Sequence, residues 1–349
     1  MNGKNRPDIR ELTRDELKLF FQEHDGMIFR ADQVHDWLWK KGCLSFEMMS
    51  NLSKSTRELL SETFTFRTAI AEVEQKSVDG TVKTGFRLHD GLLVEGVLIP
   101  SDGRYTACIS SQVGCALGCR FCATGSLGFL RNLSSGEMFD QVIHISNLAK
   151  GALTNIVFMG MGEPFLNYQH LLESIEKITA PDGLAMSPQR ITVSSVGIPK
   201  MIRKMADSDP KYHFALSLHA ANDQKRNQII PFNQQHPLAE ITDAMKYYHS
   251  RTGKRFTIEY ILFGNFNDSL EDARSLATFC KSFPVKINII EFNPVASSDL
   301  IKSTAIKTKA FVDFLEGKNL VVNLRKSRGR DIRAACGQLI VDQEMNKKS

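Results

Sequence analysis

The chain has 349 residues, of which 42% are hydrophobic and 24% are charged. This balance is typical of a globular protein and excludes a collagen-like repeat or a small disulfide-rich scaffold. The length predicts about two domains, and the net charge of +5 permits an anionic partner without requiring one. The sequence has no apolar run near the roughly 18 residues of a membrane span and no apolar secretory core at its start. We therefore expect a cytoplasmic protein with no membrane partner.

The first seventy residues predict helices. Thr13 and Glu16 form a capping-box pattern ahead of an apolar stripe. A second helix should place Val34, Trp37 and Leu38 on one face and end at Gly42, which makes Trp37 a core residue. A third helix is expected over 53–64. We interpret residues 1–68 as a small helical domain.

Residues 69–100 predict a β-rich connector, with hairpin turns at Asp79-Gly80 and Asp90-Gly91. From Tyr105 onward, short β-rich runs alternate with segments long enough for helices. The six runs lie at 106–111, 155–160, 190–195, 213–218, 255–262 and 286–292. This alternation predicts a parallel sheet, in either an open or partial barrel or a doubly wound arrangement. In both arrangements, the active site is expected at the carboxyl ends of the strands.

Three of the seven cysteines are closely spaced, as Cys115-x3-Cys119-x2-Cys122, directly after the first of these strands. A structural zinc ion requires four ligands, and the segment supplies three. A 4Fe–4S cluster held by three cysteines leaves one iron free to bind a substrate or cofactor. The pattern therefore predicts a cluster, and the alternative is a zinc site completed by a distant ligand such as Cys108.

Four motifs follow one another between Glu95 and Leu339: TACISSQVGCALGCRFCATG, FMGMGEP, SLHA and RGRDIRAACGQL. Together they resemble the RlmN/Cfr group of radical S-adenosylmethionine (SAM) RNA adenine methyltransferases, and the adenine-C2 branch is the nearer likeness. The resemblance implies an α/β fold, a radical SAM partial (β/α)6 barrel with a small helical N-terminal accessory domain. It divides the chain into a helical RNA-binding domain (1–68), a connector (69–100), a radical SAM core (101–333) and a terminal segment (334–349).

The resemblance also implies the cofactors and their ligands. Cys115, Cys119 and Cys122 would hold a 4Fe–4S cluster, whose open iron binds SAM. Two SAM molecules would be used per turnover, one as the radical source and one to methylate a protein cysteine. The residues that match SAM contacts in the family are Gly162, Glu163, Ser194, Ser217, Leu218, His219 and Asn293.

By the same resemblance, Cys336 carries the methyl group and its methylene radical adds to the adenine carbon. Cys108 would then attack the bridge between protein and RNA, releasing the RNA and leaving a Cys108–Cys336 disulfide. Glu95 matches the acceptor of the proton that the ring carbon loses. A radical route suits carbon 2 of adenine, which is electron-poor and therefore a weak nucleophile. Cys43 and Cys280 lie outside the motifs and are assigned to packing.

The implied partners are 23S rRNA, an anticodon-loop adenosine of some tRNAs and a low-potential electron donor, and we expect a monomer. A basic segment precedes Cys336 and could hold RNA phosphates; it contains Lys318, Arg325, Lys326, Arg328, Arg330 and Arg333. Two alternatives stay open: methylation at C8 of the same nucleotide, and a zinc-bound RNA-binding protein without catalysis.

Overall fold

The computed structural model describes residues 6–340. Within this range, the strands are β1 (Ala69–Lys76), β2 (Val82–Leu88), β3 (Leu93–Ser101), β4 (Arg104–Cys108), β5 (Gln112–Gly114), β6 (Phe129–Asn132), β7 (Asn155–Phe158), β8 (Ile191–Ser195), β9 (His213–Ser217), β10 (Phe256–Gly264), β11 (Val285–Glu291), β12 (Ile301–Lys302) and β13 (Val321–Arg325). The α-helices are α1 (Arg14–His24), α2 (Arg30–His35), α3 (Lys54–Thr63), α4 (Ser135–Leu148), α5 (Tyr168–Thr179), α6 (Pro199–Asp207), α7 (Asp223–Ile229), α8 (Leu238–Thr252), α9 (Leu270–Cys280) and α10 (Ala305–Glu316).

One large sheet dominates the described chain. Ten of its strands run in the order β1-β2-β3-β4-β7-β8-β9-β10-β11-β13, and β12 pairs with the end of β10. In this order, the seven strands from β4 to β13 are parallel, and helices connect them. The six predicted strands are all present, and the α/β prediction with a parallel sheet is confirmed. Strand β13 was not predicted; this edge strand exposes most of its side chains, and Asn323 interrupts its short apolar run.

The predicted connector forms two hairpins that continue this sheet. The turns contain Gly80 and Gly91, each with φ of +84°, a conformation that favours glycine. Strand β3 pairs antiparallel with β4, so that Val97 lies opposite Cys108. Strands β1 to β3 are thus an antiparallel extension of the parallel sheet.

The N-terminal helices begin as the sequence predicted but bury a different tryptophan. Helix α1 has the capping box of Thr13 and Glu16. After α2, a π turn spans Asp36–Lys40, and its wider turn shifts which residues face inward. Trp39 is therefore fully buried, whereas Trp37 is only partly buried and lies under Lys41. The prediction that Trp37 is a core residue is wrong in this respect.

The helical region packs directly on α4 of the α/β core. The buried Arg10 guanidinium lies 2.7 Å from the Asp140 carboxylate, and the Trp39 ring contacts the Phe139 ring edge-on at 5.2 Å. A second, smaller apolar cluster surrounds Cys115 and Cys119 at the carboxyl ends of the parallel strands. None of the helices in residues 6–340 combines the length and apolar character needed to span a bilayer.

Candidate active site

The segment 115–122, here called the cysteine loop, follows β4 and leaves from the short β5–β6 ribbon. The Cys115 amide donates to the Gly128 carbonyl at 2.8 Å. Gly114 has φ of +73°, and a Cβ at this position would lie 1.9 Å from the same carbonyl oxygen. The entry to the loop therefore requires glycine on both conformational and steric grounds.

The three thiols of the cysteine loop are close enough to influence one another electrostatically. Burial, and then the neighbouring thiols, raise the pKa of Cys119 well above its usual value, and burial raises the pKa of Cys115 to about 12. Among residues 6–340, no three His, Cys, Asp or Glu side chains lie close enough to share one metal ion. A 4Fe–4S cluster would not require the three thiolates to share one metal ion, because each thiolate would bind a different iron. A set of three soft thiolate ligands suits such a cluster.

Glu163 follows β7 and reaches across to β8. Its carboxylate accepts hydrogen bonds from the Phe165 amide at 3.0 Å and the Val196 amide at 3.1 Å. Burial raises its pKa to about 7, although these hydrogen bonds oppose the shift. The preceding Gly162 has φ of +99°, and a Cβ there would lie 2.5 Å from Gln112. A buried carboxylate in this position can receive the ammonium group of an amino-acid ligand.

Ser194 and Ser217 lie at the ends of β8 and β9, and their hydroxyl oxygens are 3.0 Å apart. His219 follows with φ of +57°, and its Nδ1 accepts a hydrogen bond from the Ile261 amide at 3.1 Å. Burial and the nearby Arg226 lower the pKa of His219 to about 3, so the imidazole is neutral. The Asn267 amide donates to the His219 carbonyl at 2.6 Å and thereby holds this strained backbone.

Arg226 lies behind these strand ends and is almost fully buried. Its guanidinium donates to the carbonyls of Leu218 at 3.0 Å, Val196 at 2.5 Å and Ser217 at 3.2 Å. It also donates to the side-chain oxygen of Asn233. Burial lowers the pKa of Arg226 to about 10, although the neighbouring Cys119 and Asp223 oppose this. Arg226 thus ties the ends of two strands to the helix that follows them.

The C-terminal segment lies against the cysteine loop. The Ala123 amide donates to the Gly337 carbonyl at 2.7 Å, and the Thr124 hydroxyl donates to the Leu339 carbonyl at 2.7 Å. On the other side, the Ile340 amide donates to the Glu95 carboxylate at 2.9 Å. Residues 337–340 are therefore held between the cysteine loop and β3.

Cys108 and Cys336 lie within electrostatic range of each other. Cys108 is buried at the end of β4, and burial followed by the proximity of Cys336 raises its pKa. Cys336 is solvent-accessible, yet surrounding protein atoms raise its pKa through desolvation. It also interacts electrostatically with Cys122 of the cysteine loop. Cys108 and Cys336, which were predicted to act in the reaction without binding the cluster, thus lie near each other. Cys43 and Cys280 are buried elsewhere in the core.

Asn293 follows β11 and links the strand ends to the basic segment. Its side-chain amide donates to the Ser327 hydroxyl at 2.9 Å. Many of the predicted site residues belong to the parallel strands or directly follow them. All of these residues lie at the carboxyl edge of the sheet. Glu95 is on the adjoining antiparallel strand β3. Their individual roles stay predictions.

Sequence reasoning missed several polar residues within strands. Glu259, Asn288 and Asn323 are in register on β10, β11 and β13, and hydrogen bonds of 2.8 and 3.2 Å join them in a row. Lys83 on β2 is buried with its ammonium 3.0 Å from the Glu95 carboxylate. Each of these polar residues interrupts a strand-like sequence. That interruption is the signal by which sequence analysis could have identified them.

The basic segment lies beside this edge. Arg325, Lys326, Arg330 and Arg333 are all exposed, and Arg330 also forms an ion pair with Glu291. A cavity of about 390 Å³ separates this segment from the β1–β2 hairpin. Two aspartates bridge across: Asp79 accepts from the Gly329 amide at 2.9 Å, and Asp331 accepts from the Ser77 hydroxyl at 2.6 Å.

A parallel sheet with a Cys-x3-Cys-x2-Cys loop at its carboxyl edge defines a radical SAM enzyme. The model of the Radical SAM superfamily matches residues 109–277, and that of the Ribosomal RNA large subunit methyltransferase N-terminal domain matches residues 7–66. The crystal structure of a radical SAM methyltransferase from Sphaerobacter thermophilus superposes with a TM-score of 0.91 and 36% identity, covering 95% of this chain and 99% of that one.

Two curated relatives name the family. A probable dual-specificity RNA methyltransferase RlmN of Cytophaga hutchinsonii is 49% identical over 339 residues, covering 96% of this chain and 93% of that protein. A probable dual-specificity RNA methyltransferase RlmN of Christiangramia forsetii is 47% identical over 336 residues, covering 95% of this chain and 96% of that protein. The chain belongs to the RlmN family of radical SAM RNA methyltransferases. Its class implies a 4Fe–4S cluster and SAM as cofactors, and its family implies an RNA substrate.

Proposed function

We propose that this chain methylates carbon 2 of an adenosine in 23S rRNA and of an anticodon-loop adenosine in some tRNAs. The observation that carries the proposal is the position of the C-terminal segment, in which Cys336 lies within electrostatic range of Cys108 and Cys122 and Ile340 bonds to Glu95. The names of the relatives, dual-specificity RNA methyltransferases, support two kinds of RNA. Both RNAs function in the cytoplasm, which is the location we propose.

Cys115, Cys119 and Cys122 would hold the cluster, which together with SAM supplies an organic radical when both are bound. The Glu163 carboxylate balances the ammonium charge of SAM, and Gly162 allows close approach of the ligand. The Ser194 and Ser217 hydroxyls, the Leu218 backbone, His219 and Asn293 complete the SAM site at the neighbouring strand ends. Arg226 fixes those strand ends from behind.

Cys336 serves as the methyl carrier, which requires a thiol that a ligand can reach, and its side chain is solvent-accessible. Its sulfur would receive the methyl group from a second SAM molecule. Cys108 serves as the resolving thiol: its sulfur bonds to that of Cys336 as the carbon–sulfur bond to the RNA breaks. The electron pair of the broken bond stays with the carbon, which takes up a proton and becomes the methyl group. Because burial raises the pKa of Cys108, its proton must be removed before it attacks. Glu95 accepts the proton that the adenine carbon loses.

The two cysteines predict opposite phenotypes, which tests the proposal. Cys336→Ala should assemble its cluster but transfer no methyl group and form no covalent bond to RNA. Cys108→Ala should reach the covalent intermediate and stop, so that RNA stays attached through Cys336. Denaturing gels of nuclease-treated and untreated samples distinguish the two. Equal behaviour of the variants, or crosslinked RNA in Cys336→Ala, would contradict these roles.

Two further measurements separate this function from its alternatives. Mass spectrometry of digested RNA distinguishes 2-methyladenosine, which we expect, from 8-methyladenosine. Iron and sulfide analysis after anaerobic purification should give a 4Fe–4S stoichiometry, whereas a zinc-bound RNA-binding protein would contain neither iron nor sulfide. We further propose a low-potential electron donor and a monomeric enzyme, and light scattering in solution tests the latter.

A further inference from the structure

A buried lysine lies beside the carboxylate to which we assign proton transfer. Lys83 is on β2 with its side chain 10% exposed, and its Nζ lies 3.0 Å from Oε1 of Glu95. In the β2–β3 pairing, Lys83 is opposite Val97, and Gly85 is opposite Glu95. Because Gly85 has no side chain, the lysine can cross diagonally to the carboxylate.

Lys83, Glu95 and Cys108 share one face of the sheet. Val97 pairs with Lys83 on one side and with Cys108 on the other, and Glu95 is two residues before Val97 on the same strand. Side chains alternate between faces along a strand, so these positions point to the same side. This is the side on which the C-terminal segment lies, since the Ile340 amide donates to Oε2 of Glu95 at 2.9 Å.

The two contacts fix both oxygens of Glu95, and they differ in kind. The amide of Ile340 orients the carboxylate relative to the segment that carries Cys336. The ammonium group of Lys83 supplies charge: a carboxylate that is only 2% exposed favours its protonated form unless a cation is near. A protonated Glu95 could not accept another proton.

We propose that Lys83 is a positioning residue that holds Glu95 ionised and aimed at carbon 2 of the RNA adenine. The inference rests on the proposed function and identifies a residue outside the motifs. In the step concerned, the bond between carbon 2 and hydrogen breaks, the proton bonds to Glu95, and the electron pair stays in the ring.

A merely structural ion pair would affect folding and every reaction step alike, whereas a positioning role affects one step. Lys83→Met should generate 5′-deoxyadenosine and methylate Cys336 at nearly the native rate. It should release methylated RNA about tenfold more slowly or worse at pH 7 and accumulate RNA covalently attached through Cys336. Removal of the cation raises the pKa of Glu95, so the acid limb of RNA release should move to higher pH. Lys83→Arg should restore most of the rate.

The control is Lys254→Met, which removes an ion pair of 2.8 Å with Asp209 ahead of the amino ends of β9 and β10, at the opposite edge of the sheet from the site. It should show native RNA release and no accumulation of attached RNA. If Lys83→Met fails to take up iron, Lys83→Gln removes the charge with a smaller change and provides the same readouts. Native release rates and a native pH profile in the charge-free variant would overturn the role of Lys83. Absence of attached RNA in Cys108→Ala would instead overturn the proposed function itself.

Discussion

Replacement of Arg226 should destabilise the protein by an amount that follows from its contacts. The Arg226→Met change removes four hydrogen bonds, to the carbonyls of Val196, Ser217 and Leu218 and to the Asn233 side-chain oxygen. The Leu218 carbonyl keeps the Ala220 amide as a donor at 2.7 Å, so the cost comes from the other acceptors. A buried acceptor without a donor costs about 1–3 kcal/mol. Two effects offset part of the cost of the unpaired acceptors. The surrounding structure can relax, and the variant no longer has to bury a charged guanidinium group. We expect the free energy of unfolding to fall by about 3–4 kcal/mol.

Urea denaturation of the purified variants measures this loss. For a chain of this size, the same loss should lower the melting temperature by roughly 4–5 °C. Arg226→Lys keeps the charge but lacks the planar fork, so it should lose about 2 kcal/mol. Arg203→Met, at an exposed position on α6, is the matched control and should stay within about 0.5 kcal/mol of the native protein. A loss below about 1 kcal/mol in Arg226→Met would refute the assignment of these acceptors to Arg226.

Three other predictions concern the cluster, the RNA and pH. Alanine at any one position of the loop cysteines should abolish stable iron binding and SAM cleavage, and full iron content in a variant would remove that residue from the ligand set. Replacing Arg325 and Lys326 together should weaken RNA binding and reduce the salt slope by about 0.7 per lost contact to single-stranded RNA; an unchanged slope would place the RNA elsewhere. Burial opposes ionisation of Asp79, but hydrogen bonds from Thr81 and Gly329 lower its pKa to about 2. Asp79→Asn should therefore cost about 1–2 kcal/mol above pH 4, with the difference vanishing as pH falls toward 2 in acid-unfolding curves; a pH-independent difference would contradict this.

Features encoded by neighbouring residues could be predicted from the sequence. The capping box at Thr13 involves two residues three apart, and it is present. The Asp-Gly turns and the apolar strand runs are equally local. Trp37 failed as a core prediction because helical spacing assumes a regular helix, whereas the chain forms a π turn there.

The candidate site likewise combines features that local sequence predicts with features that it does not predict. The cysteine loop and the strand-end residues follow from motifs and from the rule that ligands bind at carboxyl edges of parallel strands. Lys83 and Arg226 could not be assigned in this way, because their partners are set by strand register and by the packing of two strand ends. Neither residue has a partner that the local sequence identifies.

The contacts of the C-terminal segment require the sheet to be curved. A flat sheet with ten strands about 4.8 Å apart would separate β1 from β13 by roughly 43 Å. Yet Gly329 is only four residues beyond the end of β13, a reach of about 14 Å, and it bonds to Asp79 in the turn after β1. The two edges must therefore approach each other, as in a partial barrel. The segment that leads to Cys336 crosses between these edges, and the following residues return to the cysteine loop. The curvature of the sheet is thus what allows a cysteine near the end of the chain to meet Cys108 on β4, in the middle of the sheet.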